Sequence, residues 1–155
     1  YGYNVKFLHS EIGKLLGIHE NYRTIIIGAG NMGRALANHR LFEKRGFVNE
    51  AIFDINPEVV GTTINRYKVM HMDELESFTA ANRVDIAILC VPNSQTAAVA
   101  ERVASLGIRG LWNFSPMDLK LDREVVIENV HLGDGLMLLG YRLSRHDSQQ
   151  DSQKK

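Results

Sequence analysis

A glycine-rich turn between an apolar run and a helical pattern constrains the fold of this chain more than any other feature. Residues 24–39 read TIIIGAGNMGRALANH, in which Gly28, Gly30 and Gly33 have the spacing G-x-G-x-x-G. The preceding run is β-branched and apolar on both faces, which is typical of a central parallel strand. In this context the first glycine permits a tight turn, the second permits the approach of a pyrophosphate, and the third permits close packing of helix on strand.

We therefore predict that this turn binds a dinucleotide, with its phosphates held by free N–H groups at the start of the helix. A glycine-rich turn without a ligand is the alternative. The predicted contacts are Gly28, Ala29, Gly30, Asn31, Met32 and Gly33.

The rest of the chain alternates between strand and helix patterns. Such alternation predicts βαβ units and an α/β, Rossmann-type, doubly wound and mainly parallel sheet. Asp73 and Glu76 are predicted to form a capping box. We assign residues 18–143 to this domain and expect the polar residues 144–155 to be a disordered tail. The predicted strands are 24–27, 47–55, 67–70, 85–92, 110–114 and 124–130, and the predicted helices are 4–16, 31–40, 73–82, 94–107 and 131–143.

An acidic residue follows the second predicted strand. Asp54 lies twenty-one residues after Gly33, where a carboxylate binds the adenine ribose hydroxyls of a dinucleotide. A carboxylate there repels a 2′-phosphate, and the following Ile55, Asn56 and Pro57 supply no arginine. The sequence therefore favours NAD(H) over NADP(H), with Ile55 beside the same ribose. A solvated acid at the strand end, or a turn former, is the alternative for Asp54.

Two later strand ends face the same crevice, because ligands of doubly wound sheets bind beyond the carboxyl ends of the strands. Apolar atoms with a few amide groups suit a nicotinamide ring and its carboxamide. Ordinary strand-to-loop residues are the alternative at each position. The predicted contacts are Val91 and Pro92, and Asn113, Phe114, Ser115 and Pro116.

Acid–base chemistry has no convincing residue in this sequence. A dehydrogenase needs a group such as His, Lys or Tyr beside the nicotinamide ring. Most of the six histidines fall on polar helix faces, connectors or the tail, and only His131 stands at a structural junction. A second domain of about 100 residues for a substrate is also missing. We therefore predict a sensor and no enzyme, without catalytic residues.

Composition excludes several classes of partner. Eighteen Lys and Arg balance eighteen Asp and Glu, so no net field favours nucleic acid. The sole cysteine, Cys90, lies in the apolar stretch VDIAILCVP and is expected to be a buried, unreactive thiol. A chain without disulfides fits a reducing cytosol, and its apolar runs are too short for a bilayer. We therefore expect a cytoplasmic protein without membrane or metal contacts.

The order of these motifs resembles the Rex family of bacterial redox-sensing transcriptional repressors. The resemblance covers nearly the whole chain before the tail and rests on GYNV, GAGNMGRALANH, GFVNEAIFDINPEVVG, VPNSQTA, NFSP and ENV. It implies a homodimer whose C-terminal helices exchange between subunits. It also implies an N-terminal winged-helix domain for operator DNA, lying almost entirely outside this chain, with residues 1–17 as its last helix and linker.

The resemblance also assigns roles to the site. It implies that NADH closes the dimer and releases operator DNA, whereas NAD⁺ is compatible with DNA binding. Carried over by position, residues 28–33 would hold the pyrophosphate and Asp54 the adenine ribose. The VP and NFSP segments would lie near the nicotinamide.

One position departs from the family pattern. Members commonly have NVD and then a bulky apolar residue that enters the partner's cofactor pocket, but this chain has Asn129, Val130, His131 and Leu132. The aspartate belongs to the switch that distinguishes NADH from NAD⁺, and a histidine reverses the potential charge and titrates near neutral pH. His131 and Leu132 are the predicted switch residues. A divergent paralogue that binds a dinucleotide without the usual NADH response is one interpretation.

The last predicted helix is apolar on several sides. Such a helix is usually buried on several sides, and its three glycines each weaken it by about 0.8–1 kcal/mol relative to alanine. Burial between two subunits explains both properties, and a helix covering its own sheet is the alternative. Leu132, Leu136, Leu139 and Leu143 form one stripe, while Met137, Leu138 and Tyr141 lie on other faces.

Two other functions stay open. The chain could be the nucleotide-binding domain of a small NAD-dependent dehydrogenase or reductase. It could also be a CoA-binding Rossmann domain. Asp54 argues against CoA, since the ribose of CoA carries a 3′-phosphate instead of a free diol.

Overall fold

The computed structural model of the chain describes residues 21–154. The helix predicted at 4–16, and with it the assignment of residues 1–17, lies outside the described residues. Within 21–154, strands and helices alternate as predicted. In chain order they are β1 (Tyr22–Ile27), α1 (Asn31–Ala37), α2 (Leu41–Lys44), β2 (Phe47–Asp54), β3 (Thr63–Ile64), β4 (Tyr67–His71), a 3-10 turn (Met72–Glu74), α3 (Leu75–Ala81), β5 (Ile86–Leu89), α4 (Asn93–Ser105), β6 (Gly110–Asn113), β7 (Val126–Asn129) and α5 (Leu132–Gln153).

The strands form one seven-stranded sheet in the order β3-β4-β2-β1-β5-β6-β7. The short β3 is antiparallel to β4, and every other neighbouring pair is parallel. Counted along the chain, the parallel strands have the order 3-2-1-4-5-6 of the doubly wound dinucleotide-binding fold. The predicted fold class is therefore confirmed. The strand order reverses between β1 and β5, which defines the crevice where such folds bind ligands.

The core lies on both faces of the sheet, as the apolar character of β1 predicts. Ile25 and Ile27 pack on the face covered by α3 and α4, whereas Ile26 packs on the face that carries α1. All three side chains are almost completely buried. Complete burial of an isoleucine contributes about 1.5–3 kcal/mol relative to its exposure. The strand that leads into the glycine turn is therefore among the most strongly anchored in the sheet.

The α-helix predicted from Asp73 begins at Leu75, because β4 continues to His71 and a 3-10 turn, Met72–Glu74, precedes the helix. The Asp73 N–H donates to His71 Nδ1 at 3.0 Å, and the His71 N–H donates to Glu74 Oε2 at 3.1 Å. The capping box is thus formed by His71 and Glu74, and the predicted pair of Asp73 and Glu76 is wrong. Glu76 binds Arg102 of α4 instead.

The last helix is longer than predicted. It continues to Gln153, so the prediction of disorder is wrong over residues 144–153. This segment is polar but contains neither glycine nor proline, and polarity alone does not prevent a helix. The hydroxyls of Ser148 and Ser152 donate to the carbonyls four residues earlier, at 3.0 Å each.

No residue of α5 is buried, and its large apolar side chains are exposed. Exposure reaches 74% at Leu136 and 75% at Met137. The helix therefore does not cover its own sheet, which rules out that alternative in this structure. None of the helices within residues 21–154 is both long and apolar enough to cross a bilayer.

Candidate dinucleotide-binding site

A cavity of about 510 Å³ opens at the carboxyl ends of β1, β2 and β5, at the point where the strand order reverses. This is the position that the doubly wound fold assigns to its ligand. Apolar atoms from the three strand ends and from α4 surround a few polar groups. The lining residues are Ile27, Gly28, Ala29, Gly30, Asp54, Ile55, Asn56, Val59, Met72, Cys90, Val91, Pro92, Gln95, Val99 and Arg102.

The three glycines of the turn are required for different reasons. Gly28 has φ +105°, and a Cβ on it would lie 2.3 Å from the carbonyl oxygen of Cys90. A Cβ on Gly33 would lie 1.8 Å from the carbonyl oxygen of Gly28. Both glycines therefore serve the packing of the protein itself.

Gly30 differs from the other two. Its φ of −77° suits any residue, and a Cβ there would meet nothing within 4 Å. Neither backbone conformation nor packing explains a glycine at this position, which lines the cavity. The open space fits the close approach of a ligand backbone such as a pyrophosphate. The glycine at position 30 is therefore explained better by a bound dinucleotide than by a turn without a ligand.

Asp54 joins the end of β2 to the glycine turn. Its Oδ2 accepts a hydrogen bond from the Ala29 N–H at 2.7 Å. Its Oδ1 accepts from the N–H groups of Ile55 and Asn56 at 2.7 and 2.9 Å. A carboxylate offers about four acceptor positions, so about one is left for a ligand hydroxyl. The side chain is therefore a built part of the site and more than a solvated acid at a strand end.

The predicted site residues fall into two groups. Seven of them line the cavity together: Gly28, Ala29, Gly30, Asp54, Ile55, Val91 and Pro92. Asn31 and Met32 begin α1 beside the turn without lining the cavity, and Gly33 is buried beneath Gly28.

The NFSP segment does not line the cavity. Asn113 and Ser115 are buried in hydrogen bonds described below, while Pro116 is exposed. Phe114 packs edge-on against Trp112, with ring centroids 4.5 Å apart. Since β6 lies one strand further from the switch point than β5, its end is displaced from the cavity.

One face of α4 was missed by sequence reasoning. Gln95, Val99 and Arg102 line the cavity at a spacing of four and three residues, so helical periodicity after the VP turn could have found them. Arg102 Nε and one terminal nitrogen bind the two carboxylate oxygens of Glu76, at 2.6 and 2.7 Å. This pair lowers the pKa of Glu76 and raises that of Arg102. The only guanidinium among the lining residues is thus already paired.

Cys90 lines the cavity, and its thiol is half-buried. Burial raises the pKa of its thiol to about 12, so the reactive thiolate is scarce near neutral pH. Cys90 is half-buried, so the predicted burial is confirmed only in part, and the low reactivity of the thiol stays a prediction. Among the described residues, no group of three or more His, Cys, Asp or Glu side chains is placed to hold a metal ion.

Comparisons with known proteins identify the family. Residues 19–117 match the CoA binding domain family. The redox-sensing transcriptional repressor Rex of Clostridioides difficile is 46% identical over 91% of this chain and 67% of its own length. The Rex of Caldanaerobacter subterraneus is 48% identical over 95% of this chain. The chain belongs to the Rex family.

Solved structures of a Rex-family repressor have the same fold. The crystal structure of RSP, 45% identical, covers 99% of this chain and 73% of its own, with a TM-score of 0.89. RSP has also been solved with β-NADH, and with β-NAD⁺ and operator DNA. The present chain spans 66% of the length of the Caldanaerobacter Rex.

His131, one of the two predicted switch residues, directly precedes α5. His131 Nε2 lies 2.5 Å from Asp118 Oδ1, and its Nδ1 lies 3.4 Å from Asp134 Oδ2. The hydrogen bond with Asp118 is the main cause of a raised His131 pKa, and the charges of Asp134 and Glu128 add to it. Neither His131 nor the exposed Leu132 lines the cavity of its own chain.

Proposed function

We propose that this chain is the cofactor-sensing and dimerisation part of a redox-responsive transcriptional repressor. NADH and NAD⁺ bound in the cavity would modulate the affinity of the complete protein for operator DNA. The observation that carries the proposal is that neither packing nor backbone conformation requires the glycine at position 30, which lines the cavity. The chain is also a member of the Rex family. The crystal structures of RSP with each redox form support the same reading.

The site offers a residue for each part of NAD(H). The N–H groups and open space of residues 28–33, including Asn31 and Met32, would hold the pyrophosphate. Asp54 would bind the adenine ribose, with Ile55 beside it. Val91 and Pro92 would lie toward the nicotinamide ring, whose charge differs between NADH and NAD⁺ and supplies the redox signal. Asn113, Phe114, Ser115 and Pro116 do not line the cavity, so this assignment gives them no direct contact with the nucleotide.

The site favours NAD(H) over NADP(H). A 2′-phosphate would face the Asp54 carboxylate, and Arg102 is held by Glu76. Calorimetric titration should give a much weaker affinity for NADPH than for NADH. CoA is the second candidate, because residues 19–117 match the CoA binding domain family, and it belongs in the same titration. Tighter binding of CoA than of either nicotinamide nucleotide would replace our assignment.

We propose that α5 packs on a second copy of the chain. Its apolar side chains are exposed, and an apolar groove of about 390 Å³ lies open on the sheet face that carries α1. Ile86, Ile88, Trp112 and Val126 line the part of this groove over β5, β6 and β7. A helix with several apolar faces and an uncovered apolar groove are complementary, which supports exchange of α5 between subunits.

Sedimentation of the complete protein tests the dimer. Leu136→Asp should weaken self-association about 30-fold or more, because a buried, unpaired carboxylate costs about 2 kcal/mol or more. Ser148→Asp, on the polar part of the same helix, is the control. Unchanged self-association of the Leu136 variant would remove α5 from the interface.

The repressor function is tested by operator binding. The complete protein is titrated on operator DNA with saturating NADH or saturating NAD⁺, and NADH is expected to give the weaker binding. Equal operator affinity with both nucleotides and without nucleotide would overturn the sensing function. A protein with this activity works in the bacterial cytoplasm, which is the location that we propose.

A further inference from the structure

A hydrogen-bonded network of polar side chains links the carboxyl ends of the strands, where the cavity opens, to the start of α5. Its members are Asn93, Ser115, Asn113 and Asn129, and none of them lines the cavity. Asn93 is the first residue of α4 and follows Val91 and Pro92, which do line it. Asn129 is the last residue of β7, two positions before His131.

The first half of this network connects α4 to β6. The Ser115 hydroxyl donates to Asn93 Oδ1 at 2.7 Å, and the Thr96 hydroxyl lies 2.9 Å from Ser115 Oγ. The Ser115 N–H donates to Asn113 Oδ1 at 3.0 Å. Ser115 therefore contacts α4 through its side chain and Asn113 through its backbone.

The second half connects β6 to β7 and to the loop between them. Asn113 Nδ2 donates to Asn129 Oδ1 at 2.9 Å and to the carbonyl of Met117 at 2.7 Å. Asn129 Oδ1 also accepts from the Leu119 N–H at 3.0 Å. The two asparagines thus hold residues 117–119 on either side of Asp118.

Asp118 connects this network to the last helix. Its carboxylate binds His131, the residue that precedes α5. The other charged groups that act on His131 are Asp134, within α5, and Glu128, within β7. Because Asn113 and Asn129 set the position of the loop, they also set the position of the Asp118 partner of His131.

The buried members of this network cannot shift independently at low cost, whereas Asn93 and Asp118, at its two ends, are exposed. Asn113 is completely buried, and both of its amide hydrogens and its oxygen are engaged. Ser115 and Thr96 are also buried. A buried polar group that loses its partner is strongly disfavoured, and linked hydrogen bonds reinforce one another. These buried hydrogen bonds therefore connect the start of α4 to the loop that carries Asp118.

We propose that Ser115 and Asn129 are positioning residues that couple the cofactor site to the start of α5. The proposal rests on the proposed function, in which the cofactor binds beside the start of α4. The coupled quantity is the ratio of operator affinities with NAD⁺ and with NADH. The residues themselves contact neither nucleotide nor DNA.

The test measures this ratio, and the NADH dissociation constant, in the complete protein. Ser115→Ala should lower the ratio by about tenfold, within the range for substitutions in a coupling network, while NADH affinity changes less than about threefold. Ser105→Ala is the matched control, because this exposed hydroxyl donates only within α4, to the carbonyl of Arg102. Unchanged ratios in folded Ser115→Ala protein would overturn the proposal.

A second pair of variants keeps the test independent of Ser115. Asn129→Ala leaves Asn113 and Leu119 without their acceptor and should lower the ratio as Ser115→Ala does. Asn129→Asp keeps that acceptor but loses the donation from Asn129 Nδ2 to the Leu119 carbonyl at 3.4 Å, so it should restore part of the ratio. A ratio that falls equally in both variants would contradict the acceptor role of Asn129.

Hydrogen exchange separates this proposal from the repressor function. If operator affinity ignores both nucleotides, exchange of the α5 amides is measured with and without NADH. A response in the wild type that Ser115→Ala abolishes supports the coupling even without repressor function. A response that persists in Ser115→Ala, or a wild type without any response, overturns it.

Discussion

The turn after β1 and the helix α5 are completed by different partners. At the turn, backbone atoms of the same chain meet so closely that Gly28 and Gly33 admit no side chain, and Asp54 binds the turn to β2. In α5, by contrast, the apolar side chains are exposed and no residue is buried. The candidate cavity is therefore formed within one chain, whereas the apolar side chains of α5 lack a covering surface in the same chain.

The largest effect that sharpens this contrast is expected within the turn. Gly28→Ala should destabilise the fold by about 3 kcal/mol, because it adds overpacking against Cys90 to an unfavourable positive φ. Gly30→Ala should leave stability unchanged but weaken NADH binding by about tenfold or more, which corresponds to about 1.4 kcal/mol. Urea unfolding and calorimetry measure the two quantities.

Gly61→Ala is the control for backbone strain. Gly61 has φ +89°, but a Cβ there meets nothing within 4 Å. It should cost less than Gly28→Ala by the contribution of the overpacking. Equal losses at positions 28 and 61 would show that contact with Cys90 adds nothing.

A smaller effect is expected where the turn meets β2. Asp54→Asn replaces one acceptor oxygen by an NH₂ group, but both oxygens accept N–H groups in the structure. Either the Ala29 N–H or the pair at Ile55 and Asn56 then faces a donor, which should cost about 1–3 kcal/mol. NADH affinity should fall as well. Asn56→Ala is the control, because it keeps the backbone N–H that Asp54 accepts and loses only the acceptor of the Glu58 N–H, so it should cost less than Asp54→Asn. Wild-type stability in Asp54→Asn would refute the linking role.

The local parts of the site were predictable from the sequence. The spacing of the glycines and the distance to Asp54 follow from the backbone of one βαβ unit, which short sequence patterns describe well. The doubly wound order was predictable for the same reason. Gln95, Val99 and Arg102 were missed because helical periodicity places them on one face of α4 but does not show which face of α4 meets the cavity.

The errors had two causes, which were contacts far apart in sequence in one case and polar composition taken as a sign of disorder in the other. The sheet rule predicted that Asn113 and Ser115 face the ligand, but they bind Asn129 and Asn93 instead. The polar composition of residues 144–153 predicted disorder, although the segment contains no helix breaker and is helical. Polar composition indicates that a segment is exposed to solvent, but it does not distinguish an exposed helix from a disordered tail.

The smallest effect is expected at the junction before α5. The pKa of His131 is raised by Asp118 above its ordinary value of 6.5. A raised pKa means that the ion pair is fully present below pH 6.5 and is lost as the pH rises through the raised value. NMR titration should therefore give a His131 pKa above 6.5 that falls toward 6.5 in Asp118→Asn. Protection of the first α5 amides against hydrogen exchange should decrease over the same pH range in the wild type, and should change less in Asp118→Asn. Two outcomes would contradict the ion pair: a His131 pKa at its ordinary value, or a His131 pKa that does not change in Asp118→Asn. In either case the hydrogen-bonded network would end at Asn129.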